Sequence, residues 1–107
     1  MALYQQGDVL IQTVETIPKN AQKLAPDQHR NTLAEGEVTG HAHRVAGVVD
    51  MFRRDGAPAG EVFMSAPKRI TIQHEEHKAL TLKAGMYRAS RVREYDHFAE
   101  EARIVTD

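Results

Sequence analysis

A chain of 107 residues with a net charge of −1 has the size of a single domain and a composition typical of soluble globular proteins. That charge balance does not favour binding to duplex DNA or to an anionic membrane, and no window approaches the apolar length of a membrane span. The absence of cysteine excludes disulfides, thiolate metal sites and cysteine nucleophiles, and it fits a cytoplasmic location.

The first half of the chain predicts short strands that are joined by irregular segments. Residues 7–14 are rich in β-branched side chains and predict a first strand. Residues 15–31 hold two prolines and several turn formers, and they predict an irregular connection. Residues 31–45 predict two extended pieces with a break near Gly36 or Gly40.

The second half of the chain predicts hairpins. Residues 48–66 read as strand, turn and strand, with an Asp-Gly pair as the hairpin signal. Residues 68–85 alternate apolar side chains on either side of a polar tip and predict a second hairpin. Residues 85–95 are the longest strand candidate, and residues 102–107 predict a final edge strand. No long stretch keeps a helical period, so we predict one all-β domain, residues 1–107, with about seven short strands in a barrel or a sandwich.

Four of the six histidines lie in two short stretches of these predicted strands. His41 and His43 are one residue apart, so alternation places both on one face of a strand. The apolar alternation of the later hairpin places His74 at the end of a buried stripe, at the mouth of the core. His77 follows three positions on, beyond the turn. The sequence therefore predicts a cleft that gathers imidazoles from two strands.

A metal site is one interpretation of these histidines. Imidazole is a common ligand for zinc, iron, nickel and copper, and two histidines at i and i+2 on a strand can bind one ion. A histidine of the second stretch, with Glu37, Glu75 or Glu76, would complete the ligand set. The H-x-H pair resembles the first motif of cupin barrels, but no carboxylate follows it in residues 44–49.

Acid–base chemistry without a metal or another cofactor is the second interpretation. Histidine exchanges protons near neutral pH, and cleavage of RNA needs one group to accept a proton and another to donate one. Cations must also stabilise the charge on the phosphoryl oxygens. Arg44 follows the first pair, and Arg91 and Arg93 alternate with Tyr87 and Tyr95 on one predicted face. Arginine binds phosphate well and tyrosine can stack on a base, although the same strand could simply be a solvated edge with packing tyrosines.

Three motifs in this order resemble a family of small bacterial and phage proteins that we connect with the CRISPR-associated ring nucleases. The motifs are G-E-V-T-G-H-A-H-R at residues 36–44, H-E-E-H at residues 74–77 and Y-R-A-S-R-V-R-E-Y-D at residues 87–96. The similarity extends over residues 5–107. It implies metal-independent cleavage of cyclic oligoadenylate that leaves a cyclic phosphate, in antiviral defence or in a phage protein that counters it.

We therefore predict a phosphodiesterase that cleaves cyclic oligoadenylate or a similar RNA-like substrate. His41 and His43 are the first candidates for proton transfer, and His74 or His77 is their partner across the cleft. A metal-binding, cupin-like protein and a non-enzymatic module that binds a nucleotide or a protein remain the alternatives. We expect a homodimer, because so short a chain has little room to wrap a ring and a twofold dimer would also cover an edge strand.

Overall fold

Short strands make up most of the computed structural model, which describes residues 2–29, 32–35, 42–58, 60–91 and 105–106. Within these ranges there are eleven strands and one helix of a single turn. In chain order they are β1 (Leu3–Gln6), β2 (Val9–Thr13), β3 (Gln22–Lys23), α1 (Pro26–His29), β4 (Thr32–Glu35), β5 (Ala42–Ala46), β6 (Asp50–Arg53), β7 (Val62–Ala66), β8 (Ile70–Gln73), β9 (Leu80–Leu82), β10 (Gly85–Arg91) and β11 (Val105–Thr106).

The strands form two sheets. The larger sheet has the order β11-β1-β2-β10-β7-β6-β3, and the smaller one has the order β4-β5-β8-β9. Neighbouring strands are antiparallel except β1 and β11, which are parallel. The all-β prediction is confirmed, and of the two architectures it left open, the structure has the sandwich-like one rather than a closed barrel.

One hydrophobic core lies between the two sheets. Alternate residues of β2, β7 and β10 point inward from the larger sheet and meet alternate residues of β5, β8 and β9 from the smaller one. The buried side chains of this core include Val9, Ile11, Val45, Val62, Met64, Ile70, Ile72, Leu82 and Tyr87. Burying each large apolar side chain contributes about 1.5–3 kcal/mol, so this core supplies most of the favourable free energy of folding.

The strand count exceeds the prediction because some strands are too short to show alternation. Residues 15–31 are not wholly irregular: β3 pairs with β6, and α1 begins at Pro26, a residue that suits the first helical position. The longest predicted strand is observed over Gly85–Arg91. The predicted edge strand is observed at Val105–Thr106, where it pairs with β1. No helix in the described ranges has the length and apolar character to cross a membrane.

The start of β7 carries a buried ion-pair cluster on the larger sheet. The side chain of Glu61 is 1% exposed, and its oxygens accept hydrogen bonds from Arg54 Nε at 2.7 Å, from Arg54 Nη2 at 3.0 Å and from Arg88 Nε at 2.7 Å. The hydrogen bonds from Arg54, followed by the effects of Arg88, hold the pKa of the Glu61 carboxyl below its ordinary value. All of these atoms are partnered within the protein, so the cluster stabilises the sheet.

The turn between β1 and β2 lies beside the candidate functional site. The sequence pattern predicted a strand from residue 7, but β2 begins at Val9 because Gly7 and Asp8 form the turn. Gly7 has a φ of 56°, a left-handed conformation that glycine adopts without strain. This turn brings the larger sheet against the end of the β8–β9 hairpin of the smaller one.

Candidate functional site

Three imidazole rings meet at one end of the sandwich. His43 lies within β5, and His74 and His77 lie in the loop that follows β8. Because β5 and β8 are paired, with Arg44 opposite Gln73, the loop begins beside His43. The ring centroids are 4.4 Å apart for His43 and His74, 4.6 Å for His74 and His77, and 6.2 Å for His43 and His77. We call these three residues the histidine cluster.

The β1–β2 turn closes the histidine cluster from the other sheet. Gln6 Oε1 is 2.8 Å from His43 Nδ1, and Asp8 Oδ1 is 3.3 Å from His43 Nε2. Gly7 lies so close that an added Cβ would stand 2.6 Å from Nε2 of His77. Three consecutive residues of one turn therefore contact or border two of the three imidazoles, and the site spans both sheets.

The Gln6 side chain is itself fixed. It is fully buried, and its Nε2 donates hydrogen bonds to the backbone carbonyls of Ile72 and Lys78, each at 2.9 Å. Those carbonyls belong to the end of β8 and to the loop that carries two histidines. Gln6 thus holds the loop and His43 at the same time.

Burial and the neighbouring imidazoles act on the pKa of His43, which is 4% exposed, in the direction opposite to Asp8. Burial lowers its pKa, and the neighbouring His74 and His77 rings lower it further. The charge and hydrogen bond of Asp8 raise it, but the net pKa lies below the ordinary value of 6.5. His43 is therefore predominantly neutral at neutral pH, which is the state in which an imidazole accepts a proton.

Two arginines border the histidine cluster through carboxylates. Arg91 Nε is 3.7 Å from Asp8 Oδ2, so Asp8 lies between His43 and Arg91. Arg44 Nη1 is 3.7 Å from Glu75 Oε1, and the other oxygen of Glu75 accepts a hydrogen bond from the backbone N–H of Ala42 at 3.1 Å. Arg91 is thereby linked to His43 through Asp8, and Arg44 is paired with the residue that follows His74.

The structure brings together five of the residues that the sequence predicted for the site. His43, His74 and His77 form the cluster, and Arg44 and Arg91 stand beside it.

Among the described residues that the sequence predicted for the site, Tyr87 is the one that does not lie beside the histidine cluster but in the core. It is 3% exposed in the core and donates its hydroxyl to the carbonyl of Lys83 at 2.6 Å. This burial favours the packing interpretation of Tyr87, and its role in substrate binding stays a prediction. His41, Arg93 and Tyr95 lie outside the described residues, as does Glu37.

Sequence reasoning missed the residues of the β1–β2 turn. Gln6 and Asp8 flank a glycine, a pattern that indicates a turn but does not show which distant strand the turn approaches. Their contacts with His43 cross from one sheet to the other, and such contacts depend on how the sheets pack. Within the described part of the chain, no group of three or more histidine, aspartate or glutamate side chains has an arrangement that could hold a metal ion.

Comparison with known proteins identifies a family. Residues 5–92 match the model of a family described as a domain of unknown function, DUF8820. No curated protein and no solved structure matches the chain. The matched range contains the whole histidine cluster, the β1–β2 turn and both bordering arginines.

Proposed function

The chain belongs to the DUF8820 family of domains of unknown function, and we propose that its histidine cluster is the active site of a metal-independent phosphodiesterase for RNA-like substrates. The observation that carries the proposal is the convergence of three imidazoles around a buried His43 whose pKa is lowered. Cyclic oligoadenylate is the substrate that we test first, because it is the substrate that the resemblance of the three sequence motifs to the ring nucleases implies.

The proposed reaction requires two proton transfers. One imidazole removes the proton of a 2′-hydroxyl, whose oxygen then forms a bond to the adjacent phosphorus. The bond between phosphorus and the 5′-oxygen breaks, and a second group gives that oxygen a proton. The products are a 2′,3′-cyclic phosphate and a 5′-hydroxyl, so no water, metal or oxidant is consumed. His43 suits the first step because it is predominantly neutral, and His74 or His77 lies close enough to serve the other side of one phosphate.

The bordering arginines support binding of a phosphate. Arg91 and Arg44 each approach a carboxylate at 3.7 Å, which is longer than a hydrogen bond. The carboxylates are 53% exposed for Asp8 and 41% exposed for Glu75, and exposed ion pairs of this kind contribute about 0–1 kcal/mol. We infer that a phosphoryl oxygen would share these arginines with the exposed carboxylates, and that arginine would hold it through its planar fork.

Chromatography of cyclic oligoadenylates and of short linear RNA, after incubation with the purified protein and a chelator, tests the proposal. We expect products that end in a cyclic phosphate. His43→Ala should reduce turnover by about 10²-fold or more, the usual loss when acid–base catalysis is removed. Gln73→Ala is the matched control, because Gln73 is an exposed strand residue next to His74 and lies outside the cluster.

Three results would overturn the proposal. Turnover that disappears with the chelator and returns with a divalent ion would support a metal enzyme instead. Binding of the nucleotide without any product would support the binding module. Equal rates for the wild type and a folded His43→Ala variant would place the chemistry elsewhere.

A further inference from the structure

We propose that Gln6 is a positioning residue that fixes the proton of neutral His43 on Nδ1 and so makes Nε2 the atom that accepts a proton. The tautomer follows from hydrogen bonding alone, whereas its catalytic consequence rests on the proposed function.

The orientation of the Gln6 amide determines what it can offer to His43. An amide NH₂ group only donates hydrogen bonds, and an amide oxygen only accepts them. Gln6 Nε2 lies 2.9 Å from two backbone carbonyls, those of Ile72 and Lys78, and carbonyls only accept. Rotating the amide by 180° would set its oxygen against both carbonyls, so Oε1 is the atom that faces His43. The 2.8 Å contact is then a hydrogen bond only if His43 Nδ1 carries the proton.

Asp8 favours a proton on the other ring nitrogen. Its Oδ1 is 3.3 Å from His43 Nε2, and a carboxylate oxygen also only accepts. Neutral His43 has one ring proton and can donate to Gln6 or to Asp8, but not to both. The buried amide, with two further hydrogen bonds of its own, is the more rigid partner, because Asp8 is 53% exposed.

Protonation resolves this competition. When Nε2 takes up a proton, the ring donates to Asp8 without losing its hydrogen bond to Gln6. Proton uptake at Nε2 therefore adds a contact and breaks none, and this geometry suits a base that must become an imidazolium ion and then return the proton.

His74 carries the opposite tautomer. Its Nδ1 accepts hydrogen bonds from the backbone N–H groups of Glu76 at 3.0 Å and His77 at 3.2 Å, so its ring proton lies on Nε2. Two rings whose centroids are 4.4 Å apart thus differ in function: His43 offers an acceptor at Nε2 and His74 offers a donor. In the proposed reaction His43 is the base and His74 donates a hydrogen bond from Nε2, so of its two partners His77 is left to give the 5′-oxygen its proton.

Nuclear magnetic resonance of protein labelled with ¹⁵N-histidine, recorded at a pH where His43 is neutral, tests this inference without any substrate. Long-range proton–nitrogen spectra distinguish the two tautomers, and His43→Gln assigns the resonances. We expect a protonated Nδ1 and an unprotonated Nε2 in the wild type, and the same in Asp8→Asn, which keeps the Gln6 contact. Gln6→Met keeps the length of the side chain but removes the acceptor, so the proton should move to Nε2 and pair with Asp8.

A wild-type His43 that carries its proton on Nε2, or that shows a mixture of both tautomers, would overturn the inference. The wild-type and Asp8→Asn spectra decide the question even if Gln6→Met fails to fold. Where Gln6→Met folds, kcat should fall by about tenfold or more with little change in KM, because it affects proton transfer rather than binding. The expected tautomer in a protein that cleaves no phosphodiester would support the role of Gln6 and reject the proposed function.

Discussion

Replacing Gly7 with alanine should displace His77 from the histidine cluster while leaving the sandwich folded. Gly7 has a φ of 56°, and a Cβ at this position would lie 2.6 Å from His77 Nε2 and 2.8 Å from Cδ2. Ordinary van der Waals contact begins at 3.4 Å, so the imidazole must retreat by about 0.8 Å. The three atoms nearest to that Cβ all belong to the His77 ring.

The energetic cost of this substitution has two parts of different size. A left-handed backbone costs an alanine roughly 1–2 kcal/mol, because its Cβ approaches the following carbonyl oxygen. Moving His77 costs less, because its ring is the end of a half-buried side chain in a loop and can rotate away. We therefore expect Gly7→Ala to lower the free energy of unfolding by about 1–2 kcal/mol, nearly all of it from the backbone.

Gly56 provides a matched control for the backbone part. It has a φ of 74° in the β6–β7 connection, and a Cβ there would meet nothing within 4 Å. Urea denaturation should give similar losses of stability for Gly7→Ala and Gly56→Ala. Only Gly7→Ala should shift the ring resonances of His77 and reduce turnover. If the His77 resonances were the same in both variants, the argument that Gly7 admits this imidazole would be refuted.

Three further predictions concern His43, Glu61 and the oligomeric state. Because the pKa of His43 in the folded protein lies below its ordinary value of 6.5, the unfolded chain binds more protons as the pH falls below that value. The free energy of unfolding of the wild type should therefore decrease from pH 7.5 to pH 5.5, and that of the His43→Gln variant should decrease less. Urea denaturation that gives the two proteins the same pH dependence would contradict this. Glu61→Gln should lower the free energy of unfolding by about 2–3 kcal/mol. This is less than the full loss for a buried ion pair, because the side chains of its partners Arg54 and Arg88 are 34% and 25% exposed and can reach water. A variant as stable as the wild type would show that this ion-pair cluster contributes nothing. Light scattering should give twice the chain mass of 12.0 kDa, and a mass of one chain that does not change with ligand would rule the dimer out.

Alternation along the chain predicted much of the fold but not the side of the sheet on which each residue lies. Tyr87, Ala89 and Arg91 do share a face of β10, as a period of two requires. That face is the core for Tyr87 and Ala89, which are buried, and it reaches the rim only at Arg91. A strand that faces a ligand along its whole length would show the same alternation of tyrosine and arginine. The sequence therefore could not distinguish a ligand-facing strand from one that packs into the core.

The candidate site was predictable where it depended on position along one strand. His74 follows the buried stripe of Ile70 and Ile72, and its place at the end of the core could be inferred from that stripe alone. The contacts of Gln6 and Asp8 could not be inferred, because they join residues 37 and 35 positions from His43 across two sheets. Polar residues in a tight turn are ordinarily solvated, and only the packing of the sheets determines that this turn faces an imidazole.

The charges around His43 would change in the direction that the proposed reaction needs. Before proton transfer, Asp8 and Arg91 carry opposite charges and His43 is predominantly neutral, so the three groups together are close to neutral. The two oxygens of Asp8 face different partners, Oδ1 toward His43 and Oδ2 toward Arg91, so Asp8 can accept the new N–H without leaving the arginine. Once Nε2 holds the proton, the group carries one net positive charge. Negative charge grows on the phosphoryl oxygens at that same step, and an adjacent positive charge in a partly buried site stabilises it more than it would in water.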